Sequence, residues 1–186
     1  LQLVCTTDLC VRAEEALKAN GVDIITSNGV KAIEGAEKVE SVLLQNGERI
    51  KCSMVIVGIG VTPNVKLARD AGLEIGPTGA IKVDEFQRTT DPDIFAVGDC
   101  AEKYSFFNGV PVPVRLASVA TREGKIAAAN IFQPQWRNIG TIGAFSTVVA
   151  DTAIAMAGLT DAKAQEIGFE TVIGEAEAAP KHAGTM

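Results

Sequence analysis

The chain has 186 residues, 47% of them hydrophobic, and a formal net charge of −6. That length holds one ordinary domain or two small ones, and the apolar content supports a sizeable core. Lysines and arginines are scattered without a basic run, and no stretch of about eighteen uncharged apolar residues occurs. Both facts argue against a nucleic-acid partner, an anionic-membrane partner and a membrane span.

The first residue is Leu1 and no signal peptide follows it, so we expect a processed or excised chain in the cytoplasm. Asp8 to Asn20 reads as a helix, with Val11, Leu17 and several alanines on its apolar side and Asn20-Gly21 as its stop. Val22 to Thr26 reads as a short apolar strand. Val30 to Ile33, Val39 to Leu44 and Glu48 to Cys52 read as strands of a small antiparallel meander. Gln45-Asn46-Gly47 makes its hairpin turn, because Asn and Gly tolerate positive φ. Met54 to Ile59 is a continuous apolar run, the pattern of a strand buried on both faces in a parallel sheet. A helix is predicted from Pro63 to about Ala71, with Thr62 as N-cap and Gly72 as its stop.

Gly79 to Asp84 alternates like an exposed strand. The turn Thr89-Thr90-Asp91-Pro92-Asp93 leads into a buried strand, Ile94 to Val97, and then Gly98-Asp99-Cys100. Asn108-Gly109 marks another turn. A long alanine-rich helix is predicted within Val114 to Phe132, ending near Gln133-Pro134. Ile139 to Ala150 is β-prone, Thr160 to Ile167 is a short helix with Asp161 in its first turn, and Phe169 to Ile173 is a strand. This tail reads as a β-α-β unit that stops early.

Three segments could carry chemistry. In TTDPDIFAVGDCA, Thr89 to Ala101, a buried strand ends in Gly98-Asp99, at the end of a parallel strand where ligands commonly sit. Gly98 lets the backbone approach a ligand, and Asp99 offers acceptor oxygens to the hydroxyls of a sugar-like chain. A plain strand-ending turn explains the same two residues, and the residues alone leave both readings open. In Met54 to Asn64, VIVGIGVTPN carries Gly58-x-Gly60 after a strand. Pro63 stands where the third glycine of a dinucleotide fingerprint belongs, so this is no pyrophosphate cradle. Pro113-Val114-Arg115-Leu116-Ala117-Ser118 opens the long helix, whose N-terminus presents unpaired N–H groups and partial positive charge. Ordinary capping by Ser118 is the alternative there.

The segment around Asp99 resembles the second flavin-binding motif of the two-dinucleotide-binding-domain flavoproteins. These include glutathione reductase, NADH oxidase, coenzyme A disulfide reductase and ferredoxin reductases. The motif there runs roughly T-x-x-P-x-I-[FY]-A-x-G-D, and the resemblance implies that Asp99, behind Gly98, bonds a ribityl hydroxyl of FAD. VIVGIGVTPN resembles the family's crossover from the NAD domain to the FAD domain. That gives Gly58 and Gly60 a structural role with peripheral cofactor contact. RLASVATREGKIAAANIF is similar to the R-L-A-x-x-A-x-R-E-G helix of the NADH oxidase branch. By that likeness the backbone donors of Leu116, Ala117 and Ser118 face the flavin ring edge near N1 and O2.

The resemblance implies an α/β fold: a partial two-dinucleotide-binding-domain flavoprotein, with a parallel sheet and an antiparallel β-meander, plus the start of an α+β interface domain. Residues 1–57 correspond to the C-terminal half of an NAD-binding domain. Residues 58–134 correspond to the C-terminal part of an FAD-binding domain, and 135–186 open a dimerisation domain. The implied activity is hydride transfer from NADH or NADPH to FAD and onward to oxygen or a disulfide. The expected partners are the missing N-terminal portion of the enzyme and a second copy. Alternatives are a ferredoxin or rubredoxin reductase, a nitrite reductase flavin component, or a non-catalytic dimerisation module. With no G-x-G-x-x-G present and the family's active cysteine placed upstream, we assign no catalytic residue. Alone, the chain is expected to bind FAD weakly or not at all.

Cys5, Cys10, Cys52 and Cys100 fit no zinc spacing, and we assign no metal ligand. Cys5-x-x-x-x-Cys10 has the spacing of the redox disulfide of glutathione reductase relatives. It stands in the wrong place, so we read it as coincidence, with Cys100 as packing. Lys181-His182 reads as a solvated tail.

Overall fold

The computed structural model describes residues 6–177, so Cys5, Lys181, His182 and the closing residues 183–186 lie outside the described residues. The first helix, α1, spans Thr7–Ala19. It stops at Gly21, whose φ of +77° suits the glycine stop and whose N–H donates to the Lys18 carbonyl (3.0 Å). Its inward face is narrow, with Cys10 and Ala13 buried against Ile154 and edged by Leu9, Phe145 and Val149. The start of the chain thus packs on a hairpin near its end.

The meander forms as expected. Strands β1 (Val30–Glu34), β2 (Ser41–Leu44) and β3 (Arg49–Lys51) pair antiparallel in sequence order. The β2–β3 turn closes with Leu44 N–H donating to the Glu48 carbonyl (2.9 Å), and Gly47 takes φ +88°.

Two expected strands of this half do not form. Residues 22–26 have no regular secondary structure and join no ladder, with Val22 and Ile25 exposed. Residues 54–59, read as a strand buried on both faces, are irregular, and Met54, Ile56, Val57 and Ile59 are all exposed. The reason is the same for both: a strand needs a neighbour for its N–H and C=O groups, and none of the described strands lies beside either segment.

Helix α2 spans Lys66–Asp70 and begins later than expected, with Val65 rather than Thr62 at its N-cap. Gly72 ends it at φ +77°. Val65 and Ala68 pack into the main core with Ile81, Val83, Ala96 and Ala101, flanked by Leu73, Ile75 and Cys100. Residues 79–84, expected as an exposed alternating strand, instead bury the consecutive Ala80 and Ile81 and also Val83, with Ile81 and Val83 in this core, and only single bridges form: Ile81 with Ile75 (antiparallel) and with Ala101 (parallel). Residues 94–97 likewise lie outside any multistranded sheet, joined by one antiparallel bridge from Phe95 to Arg88. Of the expected parallel sheet, the described residues keep two parallel bridges, Ile81–Ala101 and Ser105–Thr141.

A 3-10 turn, Gly98–Cys100, follows. The short hairpin β4 (Lys103–Tyr104) and β5 (Pro111–Val112) turns at Asn108-Gly109. Helix α3 spans Ala117–Asn130. Its end is fixed by the buried Asn130 side chain. Its Oδ1 accepts from the N–H groups of Gln135 (2.7 Å) and Trp136 (3.0 Å), and its Nδ2 donates to the carbonyls of Trp136 (2.8 Å) and Phe86 (3.3 Å).

The tail holds a hairpin of β6 (Ala144–Val149) and β7 (Thr152–Ala157), then helix α4 (Asp161–Glu166). Strand β7 escapes the sequence reading because TAIAMA is rich in alanine, a weak strand former. Thr160 caps α4 by accepting from the Lys163 N–H (3.2 Å). Residues 169–173, expected as a strand, are irregular, with Val172 and Ile173 exposed and without a ladder partner. The β-α-β reading of the tail therefore gives way to a β-β-α order. Among the described residues no helix is long and apolar enough to cross a membrane.

Candidate functional site

The candidate site is the Gly98–Cys100 turn where it meets α3. Gly98 has φ +76°, a conformation that L side chains rarely adopt. A Cβ placed there would stand 3.5 Å from the Ala120 Cβ, so the backbone of the turn lies directly against the first turn of α3. The turn is closed by the Ala101 N–H donating to the Gly98 carbonyl (3.0 Å). Gly98 is buried and Asp99 exposed. None of the hydrogen bonds or ion pairs among the described residues involves the Asp99 carboxylate, which leaves its oxygens open to a ligand.

Leu116 is the N-cap residue of α3 in extended conformation, and no side chain caps the helix. Capping by Ser118 is therefore not what the helix uses. Ala117 and Ser118 are exposed and Leu116 is half-buried. The first N–H groups of a fourteen-residue helix stand at the same end of α3 that packs on the turn.

Sequence reasoning missed the pair that ties these parts together. Lys103 and Glu123 form an ion pair (2.9 Å) with side chains only 2% and 1% exposed. Glu123 Oε2 also accepts from the Gly98 N–H (2.8 Å). Lys103 Nζ donates to the carbonyls of Ala101 (2.9 Å) and Gly98. A helical wheel could have flagged Glu123, since it shares a face with the buried Ile126, Ala127 and Asn130 at spacings of three, four and seven. Nothing in the sequence marks Lys103.

A second buried carboxylate lies beside the site. Glu102 Oε1 accepts from the N–H (2.9 Å) and Oγ1 (2.8 Å) of Thr78. Arg115 Nη2 reaches the Thr78 carbonyl at 3.5 Å, which links this cluster to the segment before α3. The Tyr104 phenol is pushed above its ordinary pKa by burial first, then by the negative charge of Glu102.

Gly58 and Gly60 are not brought to this turn. Both are exposed in the irregular segment before α2, and a Cβ at either would meet open space. Gly60 does hold φ +93°, a conformation that favours glycine. The described cysteines form no disulfide. Cys10 is packed in the α1 contact, and Cys100 borders the main core with its thiol on the Val97 carbonyl (3.3 Å).

Residues 3–124 match the family model for pyridine nucleotide-disulphide oxidoreductases. The NADH oxidase of Methanocaldococcus jannaschii is 34% identical over 92% of this chain and 38% of its own length. A CoA-dependent NAD(P)H sulfur oxidoreductase of Pyrococcus furiosus is 36% identical over 75% of this chain and 31% of its own. Among solved structures, an FAD-dependent pyridine nucleotide-disulphide oxidoreductase from Desulfovibrio vulgaris superposes with a TM-score of 0.81 at 35% identity. That superposition covers 91% of this chain and 43% of the other. The chain belongs to the pyridine nucleotide-disulphide oxidoreductase family, and its mixed α/β fold matches part of that family's fold. It spans well under half the length of these relatives.

Proposed function

We propose that this chain is the C-terminal part of a cytoplasmic, FAD-dependent NAD(P)H oxidoreductase of the NADH oxidase or coenzyme A disulfide reductase type. Residues 1–57 belong to its NAD domain, 58–134 to its FAD domain and 135–186 to its dimer-interface domain. Its partners are the remainder of the enzyme and a second copy. The observation that carries the reading is the Gly98–Asp99 turn: an exposed carboxylate with no hydrogen-bond or ion-pair partner among the described residues, on a backbone that only glycine readily takes up, seated against the uncapped N-terminus of α3.

These residues fit the cofactor. Asp99 would accept hydrogen bonds from ribityl hydroxyls, and Gly98 keeps side-chain atoms away from the approach. The Leu116, Ala117 and Ser118 backbone, at a positive helix end with no side chain already using its donors, would favour negative charge on the flavin ring. Gly58 and Gly60 serve the crossover between domains, with cofactor contact at most at the periphery. A bound FAD would supply the hydride-accepting and electron-passing chemistry, while the protein holds and tunes it.

A chimera tests this. This chain is placed in the Methanocaldococcus jannaschii NADH oxidase in exchange for the matching segment. The expected product holds FAD and oxidises NADH, and Asp99→Ala weakens FAD binding roughly ten-fold, the loss of a hydrogen-bonded charged acceptor. A folded chimera that holds FAD equally well with Ala at position 99 would overturn the assignment. The isolated chain is expected to purify without a flavin absorbance spectrum, and a stoichiometric yellow protein would contradict that.

A further inference from the structure

We infer that the buried Lys103–Glu123 pair is a positioning device that sets the Asp99 turn in register with α3. The inference rests on the flavin reading for what the register is for, and on geometry alone for its existence. Lys103 follows the turn by three residues, and Glu123 lies two helical turns inside α3. Their ion pair is almost fully buried. Together they contact the turn at three backbone groups. Glu123 takes the Gly98 N–H, and Lys103 takes the carbonyls of Gly98 and Ala101. Those groups bracket Asp99 on both sides. The turn cannot slide along α3 or rotate about its own axis without breaking one of these bonds.

Stability does not account for the pair. Removing two charges from water is costly, and a buried pair is often no more stabilising than well-packed apolar side chains of similar volume. Glu123 Oε1 makes the balance worse, since it is buried with no hydrogen-bond partner among the described residues. What an apolar pair could not supply is the fixed geometry, because only side chains with hydrogen-bond donors and acceptors can hold an N–H and two carbonyls at once. The consequence falls on Asp99, whose exposed side chain takes part in none of the hydrogen bonds or ion pairs among the described residues. Lys103 and Glu123 are therefore positioning residues, acting on a ligand through the turn.

The test uses the double variant Lys103→Met/Glu123→Met, which removes both charges and keeps the side-chain bulk. In the 186-residue chain, amide hydrogen exchange is read at Ala101, whose own acceptor, the Gly98 carbonyl, the substitutions leave in place. Exchange there is expected to rise at least ten-fold, while amides of the β6–β7 hairpin stay as they were. If the Met pair does not fold, Lys103→Met/Glu123→Gln keeps an acceptor for Gly98, and a rise of at least three-fold is expected. Unchanged exchange at Ala101, or an equal rise across the hairpin, overturns the inference.

The second readout is FAD affinity in the chimera, measured as a cycle with Asp99→Ala. The Met pair is expected to weaken FAD binding about as much as Asp99→Ala does, and the combined variant little further. Additive losses would mean that the pair acts on stability alone, and would overturn the positioning role. If Asp99→Ala itself leaves FAD affinity unchanged, the flavin reading fails, while the exchange result still decides whether the pair holds the turn.

Discussion

Gly98 and Gly76 are glycines for different reasons, and the difference can be measured. Gly98 holds φ +76°, and a Cβ there would meet only the Ala120 Cβ at an ordinary 3.5 Å. The cost of Gly98→Ala is therefore backbone strain, on the order of 1–2 kcal/mol. Gly76 has no unusual backbone, but a Cβ there would lie 1.5 Å from Glu102 Oε2. Glu102 is buried and bonded twice to Thr78, so Gly76→Ala displaces a carboxylate from both bonds and leaves it in a dry environment. A buried charged group left without partners costs roughly 3 kcal/mol or more. Urea denaturation of the two variants should rank Gly76→Ala as clearly the more destabilised. Equal losses would mean that Glu102 swings free at little cost. Sequence alone did not separate these positions. A glycine before Asp99 advertises a turn, whereas the need for glycine at 76 comes from a side chain 26 residues further on.

At the scale of the element, the meander is held across its open face by Glu34. Its carboxylate accepts from Arg49 Nε (3.0 Å) and Nη2 (3.3 Å) and from Ser41 Oγ (3.1 Å), so one residue of β1 binds both β2 and β3. The Arg49 hydrogen bond holds the Glu34 carboxyl below its ordinary pKa against a partly opposing desolvation, with Ser41 adding to the lowering. A folded-state pKa below the unfolded one means that the contribution is fully present above the unfolded value and is lost as pH falls through the folded one. Glu34→Gln should therefore reduce protection of the meander amides at neutral pH, and the variant and parent should converge in strong acid. Hydrogen exchange across an acid titration checks this, and curves that stay parallel into acid would count against it.

This meander was legible because everything it needs is local: alternating strands, an Asn-Gly turn and partners a few residues away. Helix α3 was legible for the same reason, from its alanines to Gln133-Pro134. The Lys103–Glu123 pair was not, because the helical wheel points to Glu123 alone, and nothing in the sequence joins it to a lysine twenty positions away until the fold buries both.

For the whole molecule, the strand readings at 54–59 and 94–97 point the other way. An apolar run records the burial a segment has in a completed sheet, and says nothing about whether the neighbouring strands are in the same chain. Here the chain covers 38% of the Methanocaldococcus jannaschii relative, and the run lacks a ladder. The result is a surface with Ile56 and Ile59 88% and 92% exposed beside Met54 and Val61, on backbone with no ladder of its own. Apolar side chains on an open backbone edge are a template for pairing with another chain. Burying two such isoleucines would favour association by roughly 3–6 kcal/mol before the entropic cost of joining two chains. The isolated chain should therefore self-associate as its concentration rises, through this segment and independently of any interface in 135–186. Ile56→Lys/Ile59→Lys should leave the melting temperature almost unchanged, because neither side chain contributes to the core. The same variant should sediment as a lighter species at concentrations where the parent associates. If parent and variant sediment alike, the association surface lies elsewhere, and the β6–β7 hairpin becomes the next place to substitute.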